Sequence, residues 1–251
     1  NFRFDSLRVS TLSLAGNSLR LCPEGQGSIL SVGQGGTRFA ANANNVALNG
    51  RMGSSPAALR SAQVRFNLAS GFTASDVHVE IGENSAPTIF DMAQLSGRFA
   101  NGGLAGTLAG GAGRIGNIPL LMSEAAGDWR YSQGILNIDG NMRVADAQSA
   151  ERFRPMHVPD MLLTLENGVI TAIGHVHEPT TGTRVADVDI RHTLDGGTGR
   201  ALLAVDDLTF TERFQPELLT PLVLGVVANV IGKVSGDGQI EWDAAGVRST
   251  G

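Results

Sequence analysis

The stretch Leu136-Asn137-Ile138-Asp139-Gly140-Asn141-Met142-Arg143-Val144 alternates apolar or small residues with polar ones without a break. Successive side chains of a β-strand point to opposite faces. The period of two therefore puts Leu136, Ile138, Met142 and Val144 on one face and Asn137, Asp139, Asn141 and Arg143 on the other. The pattern spreads outward from there. Downstream it recurs at Leu163 and Leu165, at Ala186, Val188, Ile190 and Leu194, at Ala201, Leu203 and Val205, at Leu208 and Phe210, and at Ile240 and Trp242. Upstream, Val64, Phe66 and Leu68 alternate with Arg65 and Asn67, and Val77, Val79 and Ile81 with His78 and Glu80. Strands with one apolar and one polar face belong to antiparallel sheets, because parallel sheets are normally covered on both sides. Asn101-Gly102-Gly103, Gln133-Gly134, Asn167-Gly168, Asp195-Gly196-Gly197 and Asp237-Gly238 supply hairpin-type turns between the runs. The expectation is a mainly β, antiparallel protein.

Composition agrees. The 33 glycines among 251 residues are about twice the usual share, and aromatics are only 5%. The net charge of −5 and the lack of a basic cluster exclude a nucleic-acid binder, since phosphate neutralisation needs concentrated cations. Cys22 is the only cysteine, so no intrachain disulfide forms, and it reads as a small buried hydrophobe. The most apolar run, Leu218 to Gly232, contains Pro221 and falls short of the ~20 residues that span a bilayer. The chain begins at Asn1, without a methionine, and reads as a piece of a longer protein.

One helix is expected near 215–229, where Leu218, Leu219, Leu222, Val223, Val226 and Val227 follow helical spacing. Ser149 to Met161 reads as a connector, because Pro155 and Pro159 argue against a strand interior. A soft boundary near Ala126 separates a glycine-rich β segment, 1–126, from a crisply alternating segment, 127–251.

Candidate chemistry is sparse. Gly111-Ala112-Gly113-Arg114-Ile115-Gly116 matches the dinucleotide fingerprint by letter, but Pro119 denies it the helix that must follow, so a glycine-rich turn or bulge is expected. His175 and His177 share a strand face and would need Glu178 or His157 to complete a metal site; an ordinary polar sheet face is the simpler reading. Asp187 and Asp189 form a carboxylate pair beside Arg191, which reads as solvated surface. No catalytic constellation, cofactor site or metal site emerges. What stands out is the long apolar face. It is either the packed interior of a β-sandwich or the floor of an open groove, and alternation alone does not separate the two.

A resemblance bears on that choice. The block Gly127-Asp128-Trp129-Arg130-Tyr131-Ser132-Gln133-Gly134-Ile135-Leu136 is followed by Asn167-Gly168-Val169-Ile170 and Pro179-Thr180-Thr181-Gly182. It continues with Phe214-Gln215-Pro216, Leu219-Thr220-Pro221-Leu222, Gly225-Val226-Val227-Ala228-Asn229 and Val234-Ser235-Gly236-Asp237-Gly238-Gln239-Ile240-Glu241-Trp242. In this order the motifs resemble the YdbH-like branch of the AsmA-like, TamB-related proteins over about 127–251. The resemblance implies a strongly twisted, curved sheet forming an apolar groove, a β-taco, in a periplasmic bridge between inner and outer membranes. It implies phospholipid as cargo and no enzymatic activity. It also implies an inner-membrane anchor outside this piece and a small outer-membrane lipoprotein at the C-terminal end. The lining would be Leu136, Ile138, Met142, Val144, Leu163, Leu165, Val188, Ile190, Leu203, Val205 and Phe210. Small residues such as Gly140 and Ala186 would leave room for acyl chains. The alternatives are a structural or adhesive β-sandwich without ligand and an envelope glycan hydrolase using Asp187 or Asp189.

Overall fold

In the computed structural model, residues 2–9, 12–24, 27–34, 36–82, 87–100, 102–116, 118–243 and 245–251 are described. Asn101, at the head of one expected turn, lies outside them. The strands are β1 (Phe2–Val9), β2 (Leu12–Leu19), β3 (Leu21–Pro23), β4 (Leu30–Gly33), β5 (Gly36–Met52) and β6 (Ser55–Asn67). They continue with β7 (Gly71–Ile81), β8 (Thr88–Ala100), β9 (Gly103–Arg114), β10 (Leu120–Ser132), β11 (Ile135–Asp146) and β12 (Met156–Glu166). The last are β13 (Val169–His177), β14 (Arg184–Thr193), β15 (Thr198–Phe210), β16 (Gly232–Asp243) and β17 (Gly246–Thr250). All seventeen described strands join one sheet, an antiparallel half-barrel that is strongly curled. From β5 onward each strand pairs with the next. The other edge of the long β5 is covered piecewise by β4, β3 and β2, and β1 pairs outside β2.

The curl has a local cause. Asn45, Asp76, Gly110 and Glu124 sit inside β5, β7, β9 and β10 with φ of 52°, 48°, 62° and 54°. At each the alternation skips a beat. In β5, Ala43 and Val46 are buried while Asn44 and Asn45 between them are exposed. Further interruptions fall between Gly140 and Met142 against β12 and between Val205 and Leu208 in β15. At Glu124 and Gly110 and at these interruptions the register shifts as in a bulge, which bends a strand and raises its twist, whereas at Asn45 and Asp76 the paired strands skip together and the register is kept. Repeated from strand to strand, these irregularities fold the sheet over one face. The curl brings distant turns together: the Ser55 hydroxyl donates to the Leu194 carbonyl at 3.3 Å, and Ser54 bonds Asp195. These turns flank β6 and β14, eight strands apart. At roughly 20–25° per strand, that separation rotates the strand direction by roughly 160–200°, enough to bring the start of one strand to the end of the other.

Three expectations are corrected. The segment near 215–229 holds two single-turn 3-10 helices, Pro216–Leu218 and Pro221–Val223, rather than one continuous helix. Pro221 has no N–H to continue the first turn, Leu224 is extended, and Gly225 has φ of 77°. Pro159 lies within β12, not in a connector. It sits at the register shift between Met161 and Val158, where the ladder is interrupted and a missing N–H costs little. Asp237-Gly238 is not a turn but part of β16, paired with Ala204 and Leu203, because β15 offers a free edge as far as Phe210.

Candidate functional site: an apolar trough

Directly paired residues of an antiparallel sheet point to the same side, so the register maps the inner face. One row crosses β10 to β16 as Trp129, Ile138, Leu163, Ala172, Ile190, Ala201 and Ile240. A parallel row runs Tyr131, Leu136, Leu165, Ile170, His192, Gly199 and Trp242. A third contains the pairs Gly127–Gly140 and Gly140–Met161, then Gly174, Val188, Leu203 and Gly238 in register. Met142 opposes Val158, and Val144 opposes Met156. Val205 opposes Gly236, and Phe210 opposes Gly232. The structure thus places Leu136, Ile138, Met142, Val144, Leu163, Leu165, Val188, Ile190, Leu203, Val205 and Phe210 on one face. Six strand spacings of about 4.8 Å make the rows about 29 Å long, roughly twice one bilayer leaflet.

No residue in these rows carries a fixed charge. Asp146 closes one strand end, and there Arg152 neutralises it with bonds of 2.7 and 2.9 Å. These bonds hold the buried Asp146 carboxyl well below the usual carboxylate range. The single imidazole, His192, is 2% exposed and accepts a bond from the Trp242 indole at 3.1 Å. Burial pushes its pKa down and keeps it neutral, against the opposing pull of a backbone hydrogen bond with Thr198.

Glycines and the two tryptophans shape the floor. Trp129 faces its partner Gly106, and its indole donates to the Ser96 carbonyl at 2.9 Å. Its ring centroid lies 6.1 Å from that of Phe72, three strands away, with Gly97 beneath both rings. Trp242 lies over Gly199 in the same way: a Cβ there would meet the indole at 2.4 Å. The rings lie flat because the residues beneath them have no side chains. Gly127 and Gly140 do a different job. A Cβ on either would meet a backbone carbonyl of the neighbouring strand at 2.3 Å. These glycines permit close strand approach at the bend, so Gly140 is more than spare room for a ligand. The sequence reading missed Trp129, Ile170 and Met161; Trp129 was legible from its alternation with Asp128 and Arg130.

The large side chains of the rows are mostly half-buried rather than sealed. A second sheet packed on them would bury them, and the described strands form only one sheet. A layer does cover one end. Leu208, Phe210 and Phe214 form a buried cluster against Val205, Leu218, Leu219 and Val230, with Phe210 stacked on Phe214 at 5.3 Å. Val205 and Phe210 therefore serve this end cluster, while the other nine face the trough.

The opposite face is polar and also has a hollow, about 820 Å³, over Leu162, Ile173 and Leu202. Asp139, Asp160, Asp187, Asp189 and Asp237 line it, a poor bed for an anionic phosphate. The His175 and His177 pair lies on this face. His175 bonds Asp160, and His177 Nδ1 lies 3.0 Å from the Gly182 carbonyl. Glu178 is buried in a turn, accepting from the Thr180 and Thr181 amides at 2.7 Å. Among the described residues no three such groups converge on a metal position. Arg184 engages Asp187 at 2.7 Å. Gly111 and Gly113 belong to β9, whose bulge at Gly110 takes the place of a phosphate loop, and Asn117 lies outside the described residues. No described helix is long and apolar enough to cross a membrane.

The sequence pattern of the YdbH-like family, described as intermembrane phospholipid transport protein YdbH, matches residues 2–251. The chain belongs to the YdbH-like family. The match includes the glycine-rich first half, for which sequence reading offered only composition and strandedness. No curated protein and no solved structure matches the chain.

Proposed function

We propose that the trough shields phospholipid acyl chains as a segment of a lipid-transport bridge between the inner and outer membranes, within the periplasm. The observation that carries this reading is an inner face without fixed charge across seven strands that stays half-open. Each methylene removed from water contributes about 0.8 kcal/mol, so a chain of about sixteen carbons gains roughly 12 kcal/mol by lying there. The headgroup stays outside in water. In this reading the trough does no chemistry, the full protein is anchored in the inner membrane, and a small outer-membrane lipoprotein meets its C-terminal end. The segments 1–126 and 127–251 act as one conduit.

The test is mass spectrometry of lipids that co-purify with the chain. Phospholipid is expected with the parent and with the outer-face control Leu162→Asp, and it should be lost from Leu163→Asp. A parent without lipid, or a Leu163→Asp protein that keeps it while folded, contradicts the proposal.

A further inference from the structure

The connection between β15 and β16 contains an unusual patch. No charged residue lies between Glu217 and Lys233. Leu222, Leu224, Val226 and Ile231 are 67%, 56%, 80% and 76% exposed. Aliphatic side chains this exposed, clustered on one projecting loop, mark an interaction site. The loop is firmly rooted. Leu218, Leu219 and Val230 pack on the Phe210–Phe214 cluster. The Gln215 amide clamps Val230, giving and receiving a hydrogen bond at 2.9 Å each. Arg154 N–H donates to the Leu219 carbonyl at 2.8 Å.

The backbone indicates what the loop meets. The Leu222 amide donates to the Thr220 hydroxyl, and the Leu224, Val226 and Val227 amides donate to carbonyls of Pro221 and Val223. With Val230, five amides of 222–231 are paired inside the protein, which lowers the cost of bringing this segment towards hydrocarbon. Protein interfaces favour aromatic residues and arginine, and between Thr220 and Ile231 there are none.

We propose that the tip of this loop, 222–231, is a bilayer-contact element that inserts its aliphatic side chains into the membrane interface without electrostatic recognition of headgroups. The chain's net charge of −5 argues in the same direction, since it gives no attraction to anionic lipid. This contact does not depend on what the trough carries.

The experiment is flotation of the purified chain with vesicles of phosphatidylcholine alone and with added phosphatidylglycerol, at low and high salt. The parent should float with both, and neither salt nor anionic lipid should change binding more than about twofold. Leu224→Asp combined with Val226→Asp should melt like the parent, because both positions are exposed, and should lose vesicle binding about tenfold or more. Ile173→Asp, at an exposed aliphatic position on the sheet, should bind as the parent does. The proposal is overturned if the parent does not float, if the loop variant floats like the parent, or if binding needs anionic lipid and vanishes with salt. Loss of flotation equally in Ile173→Asp also overturns it, as does a loop-dependent dimer that ignores vesicles. Any of these results would leave lipid co-purification in the trough unaffected.

Discussion

Placing one methyl group at two glycines of the same face tests how the trough is bent. A Cβ at Gly140 would meet the Ala126 carbonyl oxygen at 2.3 Å and Gly127 Cα at 3.0 Å. Both are backbone atoms, so β10 and β11 must separate by about 1 Å where they approach most closely, at the usual overpacking cost of about 1–3 kcal/mol. Gly236, also on the inner face, has nothing within 4 Å of such a Cβ and no positive φ. There, Gly→Ala restricts only the unfolded chain and stabilises by roughly 0.4–1 kcal/mol. For a chain of this size the two variants move the melting temperature in opposite directions, Gly140→Ala down by roughly 2–12 °C and Gly236→Ala up by a few degrees. Urea unfolding followed by circular dichroism gives the free energies directly. If Gly140→Ala proved as stable as the parent, the close strand approach inferred at the bend would be wrong.

Two further outcomes follow from the polar groups at the trough's margins. His192 has a folded-state pKa below its unfolded value, so its neutral form supports the fold above about pH 6.5, and that support is lost as pH falls through this value towards the folded one. A His192→Gln variant should show a flatter dependence of unfolding free energy on pH between about 7 and 5 than the parent, and an identical slope would exclude this role. Asp146 is the reverse case: its depressed pKa gives stability that is present above about pH 4 and lost as pH falls further. Arg152→Leu leaves the buried carboxylate with only amide donors and should cost about 1.5–3 kcal/mol at neutral pH in urea unfolding.

The antiparallel class and the inner-face residues around Leu136–Val144 were legible because a period of two is a direct signature of a half-buried strand. The same arithmetic carried through β14 and β15 to Val205. It failed where the chain departs from regular geometry. Leu218, Leu222, Val226 and Val230 have helical spacing, yet Leu222 and Val226 are exposed while Leu218 and Val230 pack inward. Pro221 and Gly225 broke the helix that the spacing suggested, and the stripe never formed. Pro159 was misread because a proline is tolerated at a bulge, and a bulge shows only when the register of two strands is known. The bends at Asn45 and Asp76 were hidden for a related reason: the register is kept, but one left-handed residue shifts the alternation by a single position, which in sequence looks like weak patterning. This is why 1–126 read as loosely stranded although it builds the same curled sheet.

The most direct test of the trough is site-specific photo-crosslinking in cells, with the probe placed at Ile138 or Ile190 on the inner face and at Asp139 or Asp189 on the outer one. These positions are neighbours in sequence and occupy the same strands, so they differ only in the side of the sheet they present. The account predicts phospholipid adducts from Ile138 and Ile190 and none from Asp139 and Asp189. Equal capture from both faces, or no capture from either, would contradict it.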